Sequence, residues 1–299
     1  MYDIEELNQK FGINGNIKFQ LENNEIAIAH IKTDVFTARV GMQGAQVLEW
    51  TPLGQNSVIW LSKESNFKIG KSIRGGAPIC WPWFGAHGSD SSMPAHGYAR
   101  TVPWTLIACD MPDQNQVTMS FTLDHGSELK KMWPHNTPLE LHVSFGEVLQ
   151  LELVTKNCEK VPVEITEALH TYFAVSDIRN ITVQGLDACD YLDKVQDFKR
   201  CPQSGDISFT AETDRVYLDT AGDCIINDAA WQRKIHISKM GSLSTVVWNP
   251  WQEKSDQMGD MGIDGYLGML CVESANAASN FVTIEPGAEH RLLVQYRVE

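Results

Sequence analysis

The chain has 299 residues, of which 43% are hydrophobic and 21% charged, a composition typical of a folded globular protein. Its 38 acidic side chains outnumber 24 basic ones, and the formal net charge of −14 disfavours binding to nucleic acid and to anionic membrane surfaces. Because the chain as a whole repels anions, an anionic ligand would need a local cluster of cations.

The sequence shows no pattern typical of secretion or membrane insertion. The first residues, MYDIEELNQKFG, are acidic and lack an apolar segment, and no run of about 18 apolar residues occurs further along. The seven cysteines include no C-x-x-C pair and are widely spread: Cys80, Cys109, Cys158, Cys189, Cys201, Cys224 and Cys271. This pattern predicts free thiols in a cytoplasmic protein, not disulfides or a structural zinc site.

Taken in chain order, the predicted elements are one N-terminal helix, DIEELNQKFG, and then many strands. The predicted strands are short, β-branched or aromatic, and often alternate apolar with polar residues: GNIKFQLENN, QVTMSFTLDH, ELHVSFGEVLQLELVTKN, RNITVQGL, RKIHISKM and HRLLVQYRV. Clusters of Gly, Pro, Asn and Asp separate them, and a short helical turn is expected in QEKSDQMGD. We predict one all-β domain over residues 1–299, with antiparallel sheets packed face to face.

Four segments carry side chains suited to chemistry. GKSIRGGAPICWPWFG contains Arg74, PAHGYAR contains His96 and Arg100, EALHTYFAV contains His170, and MLCVESANAAS contains Glu273. Taken singly, each has a structural explanation, such as a hydrogen-bonded core histidine or a carboxylate at a strand end. Together, an acid, a base, arginines beside glycines and aromatic rings predict a site for a polar, anionic small molecule.

Other common sites are not indicated. The chain has no phosphate-binding loop, no dinucleotide-binding motif and no nucleophile elbow. The aspartates in SDQMGDMGIDG lack the spacing of a calcium-binding loop. We therefore expect no calcium site in this segment.

Seven segments follow one another between residues 73 and 298, within a resemblance that extends from about residue 26 to the C-terminus: IRGGAPICWPWFG, PAHGYAR, EALHTYF, VYLDT, VVWNPW, DGYLGMLCVESAN and EPGAEHRLLVQYRV. With these segments the chain resembles the hexose-6-phosphate mutarotase (glucose-6-phosphate 1-epimerase) branch of the aldose 1-epimerase family. The resemblance implies a galactose-mutarotase-like β-supersandwich with few short helices. It also implies interconversion of the α and β anomers of a hexose 6-phosphate, above all glucose 6-phosphate, with neither metal nor organic cofactor.

The resemblance assigns the catalytic roles to His170 in EALH and Glu273 in CVE. Opening a cyclic hexose needs a base that takes the proton of the C1 hydroxyl and an acid that protonates the ring oxygen. Glu273 is expected to be the base, partly buried yet ionised, and His170 the acid, since histidine titrates near neutrality. The acidic limb of the pH profile is then assigned mainly to Glu273 and the alkaline limb mainly to His170.

The remaining site residues are assigned to substrate binding. Arg74 and Arg100 would bind the phosphate through charge-assisted hydrogen bonds, with the glycines at 75 and 76 allowing close backbone approach. His96 would lie over the sugar ring, and Asp219 in VYLDT would accept hydrogen bonds from sugar hydroxyls. A ring for the apolar C–H face of the sugar would come from one of four residues: Trp81, Trp83, Phe84 and Trp248.

Two alternatives remain open from the sequence. A non-catalytic carbohydrate-binding β-sandwich would explain the tryptophans but not a separate acid and base. An epimerase of unphosphorylated aldohexoses would keep the acid and base but leave Arg74 and Arg100 without a task. For either enzyme we expect a monomer whose partner is a small sugar, with no nucleic acid or membrane partner.

Overall fold

The structure, a computed structural model, describes residues 2–124 and 126–299. Over these residues the chain is mainly β, and its α helices are α1 (Ile4–Phe11), α2 (Leu129–Met132) and α3 (Trp251–Asp256). Short 3-10 turns cover Ala99–Thr101, Ile178–Asn180, Lys194–Gln196 and Gly265–Gly268. None of the helices in the described ranges is long and apolar enough to cross a membrane.

The strands, in chain order, are β1 (Ile17–Glu22), β2 (Ile26–Lys32), β3 (Phe36–Gly41), β4 (Gln46–Pro52), β5 (Ile79–Cys80), β6 (Thr105–Asp113), β7 (Gln116–Leu123), β8 (Leu139–Phe145), β9 (Val148–Lys156), β10 (Val163–Ile165), β11 (Glu167–Leu169), β12 (Tyr172–Ala174), β13 (Thr182–Gln184), β14 (Asp190–Asp193), β15 (Lys199–Pro202), β16 (Thr213–Leu218), β17 (Cys224–Asp228), β18 (Arg233–Met240), β19 (Ser244–Asn249), β20 (Met269–Asn276), β21 (Val282–Ile284) and β22 (Glu289–Val298).

The predicted N-terminal helix is present as α1, and its start has a clear local cause. The Asp3 carboxylate accepts hydrogen bonds from the backbone N–H groups of Glu5 and Glu6, which no residue within the helix could satisfy. Acidic residues in the first turn and Lys10 in the last complement the helix dipole. The second predicted helical segment is α3.

All pairings between these strands are antiparallel. One sheet has the order β1-β2-β3-β4, and a small one pairs β10 with β21. The sheet that carries the candidate site, here called the site-bearing sheet, has the order β15-β14-β16-β19-β20-β11-β5, and β12 also pairs with β20. Another large sheet has the order β13-β17-β18-β22-β9-β8-β7-β6.

The main core is built by strands that bury every second residue. Along β7 and β8, buried and partly exposed positions alternate over the full length, because successive side chains of a strand point to opposite faces. Their buried residues join one large cluster: Val117, Met119, Phe121, Leu123, Leu139, Leu141, Val143 and Phe145.

The site-bearing sheet differs, because β19 and β20 are buried along their full lengths. On β20, Leu270 and Val272 point into the main core, whereas Cys271 packs on the opposite face with Tyr172 and Trp248. A second hydrophobic cluster, which contains Cys271, Tyr172 and Trp248, covers that opposite face. The alternation along the strand places Glu273 on the same face as Cys271.

A buried histidine–carboxylate pair links this sheet to β22. His290 Nε2 lies 2.8 Å from Glu167 Oε1, and the two side chains are 17% and 0% exposed. Asn276 donates to the same carboxylate oxygen. Burial opposes a charge on His290, but the hydrogen bond and charge of Glu167 outweigh it and raise the pKa of the histidine above 6.5.

We expect this pair to make the stability of the fold depend on pH. A histidine whose pKa is raised on folding stabilises the native state fully below its unfolded pKa, and this stabilisation is lost as the pH rises through the folded pKa. The urea midpoint of the parent should therefore fall from about pH 6 to about pH 9 more steeply than that of His290→Gln. His236→Gln is the control, because its pair with Glu299 lies at the surface, where ion pairs contribute little. Parallel midpoint curves for the parent and His290→Gln would contradict this prediction.

Candidate active site

A cavity of about 250 Å³ opens on the site-bearing sheet. Its walls come from β12, β16, β19, β20 and the segment 72–100. The charged and imidazole side chains that line it are Arg74, His96, Arg100, His170, Lys194, Asp214 and Glu273. The structure therefore brings together five of the six site residues predicted from the sequence.

His170 and Glu273, here called the acid–base pair, lie side by side in this cavity. His170 Nε2 is 3.3 Å from Glu273 Oε1, and the side chains are 11% and 1% exposed. The pairing of β11 with β20 sets Leu169 opposite Ser274, so the next residue along the chain, His170, comes beside Glu273. The backbone N–H of His170 donates to the carbonyl of Pro78, which fixes the chain where β11 ends.

Burial shifts the pKa values of both members of the acid–base pair. It lowers the pKa of His170 well below 6.5, with further lowering by nearby imidazole and arginine groups, and it raises the pKa of Glu273 well above 4.5. Burial therefore favours the uncharged form of each group, in which Glu273 holds the proton. The Glu273 side chain is 1% exposed, so it is more deeply buried than expected.

Because the two groups lie 3.3 Å apart, the two limbs of a pH profile belong to the pair and not to either residue alone. Both the neutral pair and the ion pair hold one proton, so they interconvert by transfer across the 3.3 Å between Nε2 and Oε1.

Arg74 is held by two neighbours. Its Nε donates to Asp260 Oδ1 at 3.0 Å, and its Nη1 donates to the hydroxyl of Tyr172 at 3.0 Å. Arginine has five N–H donors in a fixed plane, so donors on Nη1 and Nη2 stay available for an anion.

The glycines after Arg74 are required by backbone conformation and by packing. Gly75 and Gly76 have φ values of +108° and +71°, where other residues are strained. A Cβ atom would also lie 2.6 Å from the carbonyl oxygen of Trp60 at the first position and 2.5 Å from that of Val47 at the second. These glycines therefore let the chain pack between neighbouring strands, and that packing places the Arg74 side chain.

His96 and Arg100 come from the same loop and line the cavity together. The Nδ1 atom of His96 accepts a hydrogen bond from the backbone N–H of Gly85 at 3.3 Å, so a neutral ring carries its proton on Nε2. Burial, with the charges of Arg100 and other cations, lowers the pKa of His96 to about 3. Arg100 Nη2 donates to the carbonyl of Ala95, while its buried Nε has no partner in the described chain.

Asp219 is the predicted site residue that does not line the cavity. Asp219 is exposed just past the end of β16, and its carboxylate accepts a hydrogen bond from Asn280 at 2.9 Å, outside the cavity. Asp214, five residues earlier, lines the cavity instead and pairs with Lys194 at 2.9 Å. Burial raises the pKa of Asp214, an effect that Lys194 opposes.

Both Asp214 and Lys194 were missed. Asp214 shares the alternation of Val216 and Leu218, which pack on the cavity side of the sheet, and this periodicity in TDRVYLDT was an available signal. Lys194 lies in a short 3-10 turn after β14, and no local pattern marks it.

Two of the four candidate aromatic residues line the cavity, namely Phe84 and Trp248. The Phe84 ring meets the edge of His96 at 4.9 Å between centroids, and Trp248 meets His170 at 6.0 Å. Trp81 and Trp83 belong to the main core. An acid–base pair beside aromatic rings is the arrangement that a non-catalytic sugar-binding sandwich does not require.

Residues 28–297 match the family described as Aldose 1-epimerase. The chain belongs to the aldose 1-epimerase family. This match confirms the family, the expected enzyme class and the expected carbohydrate chemistry.

Relatives of this chain carry more specific names. The chain is 42% identical over 242 residues to an Escherichia coli K12 protein named "Putative glucose-6-phosphate 1-epimerase", and the match covers 81% of this chain and 80% of that one. A crystal structure of a "putative mutarotase" from Salmonella typhimurium superposes with a TM-score of 0.90 at 34% identity, over 96% and 95% of the two chains. A galactose mutarotase-like protein from Clostridium acetobutylicum, 14% identical with a TM-score of 0.68 over 95% and 98%, shares the fold. The predicted all-β, galactose-mutarotase-like fold is confirmed.

This epimerase-family cavity also contains donor atoms that suit a metal. Among the described residues, ligand atoms of His170, Cys271 and Glu273 lie within 4.8 Å of one another. Burial raises the pKa of the Cys271 thiol well above 9, so a cation such as Zn²⁺ would have to displace its proton. The chemistry described below uses only proton transfers by the acid–base pair.

Proposed function

We propose that this chain interconverts the α and β anomers of hexose 6-phosphates, with glucose 6-phosphate as the first candidate. The observation that carries the proposal is the placement of Arg74 and Arg100 in one small cavity with the acid–base pair. In a protein of net charge −14, two arginines directed at one cavity indicate an anionic substrate.

The reaction begins with the ion-pair form of the acid–base pair. Glu273 takes the proton of the C1 hydroxyl, His170 protonates the ring oxygen, the bond from C1 to that oxygen breaks, and a C1 aldehyde forms. The C1 hydroxyl oxygen and the ring oxygen are both bonded to C1, so an acid and a base 3.3 Å apart can exchange protons with both. Rotation about the C1–C2 bond presents the other face, and closure returns each proton to its donor.

The other lining groups hold the sugar. Arg74 and Arg100 bind the phosphate, and the Nε2–H of His96 donates to a ring oxygen or hydroxyl. Asp214, in place of Asp219, accepts hydrogen bonds from sugar hydroxyls. Trp248 offers a ring to the C–H face of the sugar.

The setting of the enzyme is also part of the proposal. All seven cysteines are free in the structure, which supports a reducing compartment such as the cytoplasm. Every group named above comes from one chain, so a monomer could carry the whole reaction.

The test is NMR exchange spectroscopy or polarimetry on pure α-glucose 6-phosphate with catalytic amounts of protein. We expect anomer interconversion well above the spontaneous rate, and a higher kcat/KM for glucose 6-phosphate than for glucose or galactose. Equal or higher efficiency on the free sugars would instead support the unphosphorylated-aldohexose alternative.

A further inference from the structure

Three side chains that bear metal-ligand atoms meet on one face of the site-bearing sheet. Cys271 and Glu273 are two positions apart on β20, so both point to the same side. The pairing of β11 with β20 sets His170 beside Glu273. The ligand atoms of His170, Cys271 and Glu273 all lie within 4.8 Å of one another, and they form the one such group of three among the residues that the structure describes.

The spacing of these atoms suits a four-coordinate cation. Zinc binds nitrogen and oxygen ligands at about 2.0–2.2 Å and thiolate sulfur at about 2.3 Å, so neighbouring ligand atoms in a tetrahedral site lie roughly 3.3–3.6 Å apart. The 3.3 Å between His170 Nε2 and Glu273 Oε1 already has this value. The Cys271 sulfur has to approach these two atoms by about 1 Å, a small movement for a side chain.

Two of the three residues also leave polar atoms without partners. Glu273 Oε2 and His170 Nδ1 are buried, and neither has a hydrogen-bond partner in the described chain. A buried polar atom without a partner costs free energy, and an ion is one of the groups that compensate it. A cation on the carboxylate would compensate the charge of Glu273, whose side chain is 1% exposed.

The positive charges of the cavity do not oppose such a site. Arg74 pairs with Asp260 and Lys194 pairs with Asp214. Zn²⁺ bound by one thiolate, one carboxylate and one neutral imidazole forms a unit without net charge. Nearby arginines therefore do not repel the unit as a whole.

The surroundings of the thiol favour a soft metal. Cys271 is 0% exposed and packs with apolar and aromatic residues, namely Tyr172, Trp248, Met261 and Met269. Such an apolar shell keeps water away from a metal site, and a thiolate ligand selects zinc-like cations over Mg²⁺ and Ca²⁺. The cavity, which His170 and Glu273 line, leaves room for a water molecule as the fourth ligand.

We propose that His170, Cys271 and Glu273 bind a thiophilic divalent cation such as Zn²⁺, and that the bound cation inhibits the enzyme. The S–H bond of Cys271 breaks, its proton passes to water with any proton on the acid–base pair, and the metal bonds to the sulfur, to Glu273 Oε1 and to His170 Nε2. No electron is transferred. The metal then occupies the lone pairs that proton transfer needs, so ring opening stops. The site is independent of the sugar, whereas the inhibition rests on the proposed function.

Co²⁺ tests the site without a measurement of activity. A four-coordinate site with a thiolate gives this ion intense visible absorption and a sulfur-to-metal charge-transfer band. We expect the reduced parent, titrated with Co²⁺ in a buffer without added thiol, to show both signals and to lose them when Zn²⁺ is added. Glu273→Gln and His170→Asn should bind Co²⁺ at least about tenfold more weakly.

Inhibition is measured on glucose 6-phosphate in large excess over Zn²⁺. We expect Zn²⁺ to lower the rate of the parent, EDTA to restore it and Mg²⁺ to leave it unchanged. Cys271→Ser should raise the inhibition constant for Zn²⁺ at least about tenfold, with each variant compared with its own metal-free rate. Cys80→Ser is the matched control, because Cys80 is also 0% exposed on the site-bearing sheet but is not among the three ligands.

Three outcomes would overturn the inference: a parent that gives no sulfur band with Co²⁺, an inhibition constant that Cys271→Ser leaves unchanged, and a rate that Zn²⁺ raises or does not affect. If Cys271→Ser does not fold, the sulfur band of the parent and of Cys80→Ser decides. Loss of the band in Cys80→Ser would assign the ligand to the wrong thiol. A parent active on free sugars alone would refute the proposed function, and the same Zn²⁺ titration on glucose would then test the site.

Discussion

Replacing Glu273 by glutamine is expected to lower kcat for glucose 6-phosphate at least about a hundredfold, and His170→Asn should do the same. Glutamine keeps the volume of the side chain but cannot accept the C1 hydroxyl proton, and asparagine cannot protonate the ring oxygen. Each measurement is an initial rate by NMR exchange at saturating substrate, with thermal unfolding as the check that the variant is folded.

A matched control separates chemistry from the effect of changing a buried carboxylate. Glu167→Gln neutralises a side chain that is 0% exposed, compared with 1% for Glu273, but that does not line the cavity. It should change stability more than kcat. General-base catalysis is typically worth about 10²- to 10⁴-fold in rate. If folded Glu273→Gln kept more than about a tenth of the parent rate, the general base would have to be another carboxylate, and Asp214 would be the first candidate.

The double variant, which combines His170→Asn with Glu273→Gln, provides an independent check of the mechanism. Because acid and base act in one ring opening, removing the second after the first should cost far less than it does alone. The combined loss should therefore be much smaller than the product of the two single losses. Losses that multiply would indicate that His170 and Glu273 act in separate steps.

Replacing Arg74 by alanine is expected to raise KM for glucose 6-phosphate by roughly 10- to 100-fold, and Arg100→Ala should have a similar effect. Each loss removes charge-assisted hydrogen bonds to phosphate, worth about 1.5–3 kcal/mol, and about 1.4 kcal/mol corresponds to tenfold in affinity. Activity on free glucose should not fall, since that sugar has no group for these arginines. Steady-state kinetics on both substrates measure the difference.

Arg39→Ala is the control for this experiment, because Arg39 lies on β3, outside the cavity, and its side chain is similarly buried, 23% exposed against 21% for Arg74. It should leave both KM values unchanged. Unaltered KM for glucose 6-phosphate in both Arg74→Ala and Arg100→Ala would show that the phosphate does not bind there, and would favour the free-sugar alternative.

Much of the site could be predicted because its residues lie in distinctive local patterns. Arg74 precedes two glycines, His170 and Glu273 interrupt apolar strands, and His96 and Arg100 flank a short glycine-containing loop. Polar residues in such places have few structural reasons to be there. The all-β fold was predictable for a similar reason, since alternation and turn residues recur along most of the chain.

The errors have a common origin in long-range packing. Asp214 and Asp219 are aspartates at opposite ends of β16, and only the packing around this strand shows that Asp219 is exposed and that Asp214 lines the cavity. Lys194 reaches the cavity because β14 pairs with β16, a contact between segments about twenty residues apart. Likewise, Trp81 and Trp83 fill the core while nearby Phe84 faces the site.

By itself the sequence determined the secondary structure class and the family, because these depend on local pattern and residue chemistry. It also singled out His170 and Glu273 as the candidate acid and base, and Arg74 and Arg100 as the candidate phosphate ligands. Only the tertiary structure decided the direction in which the pKa values of His170 and Glu273 shift. Burial and the charges of residues distant in sequence set a pKa, and these depend on how the strands pack. The fold brings β11 and β20 together and closes the cavity around the pair, and this burial opposes a charge on either group.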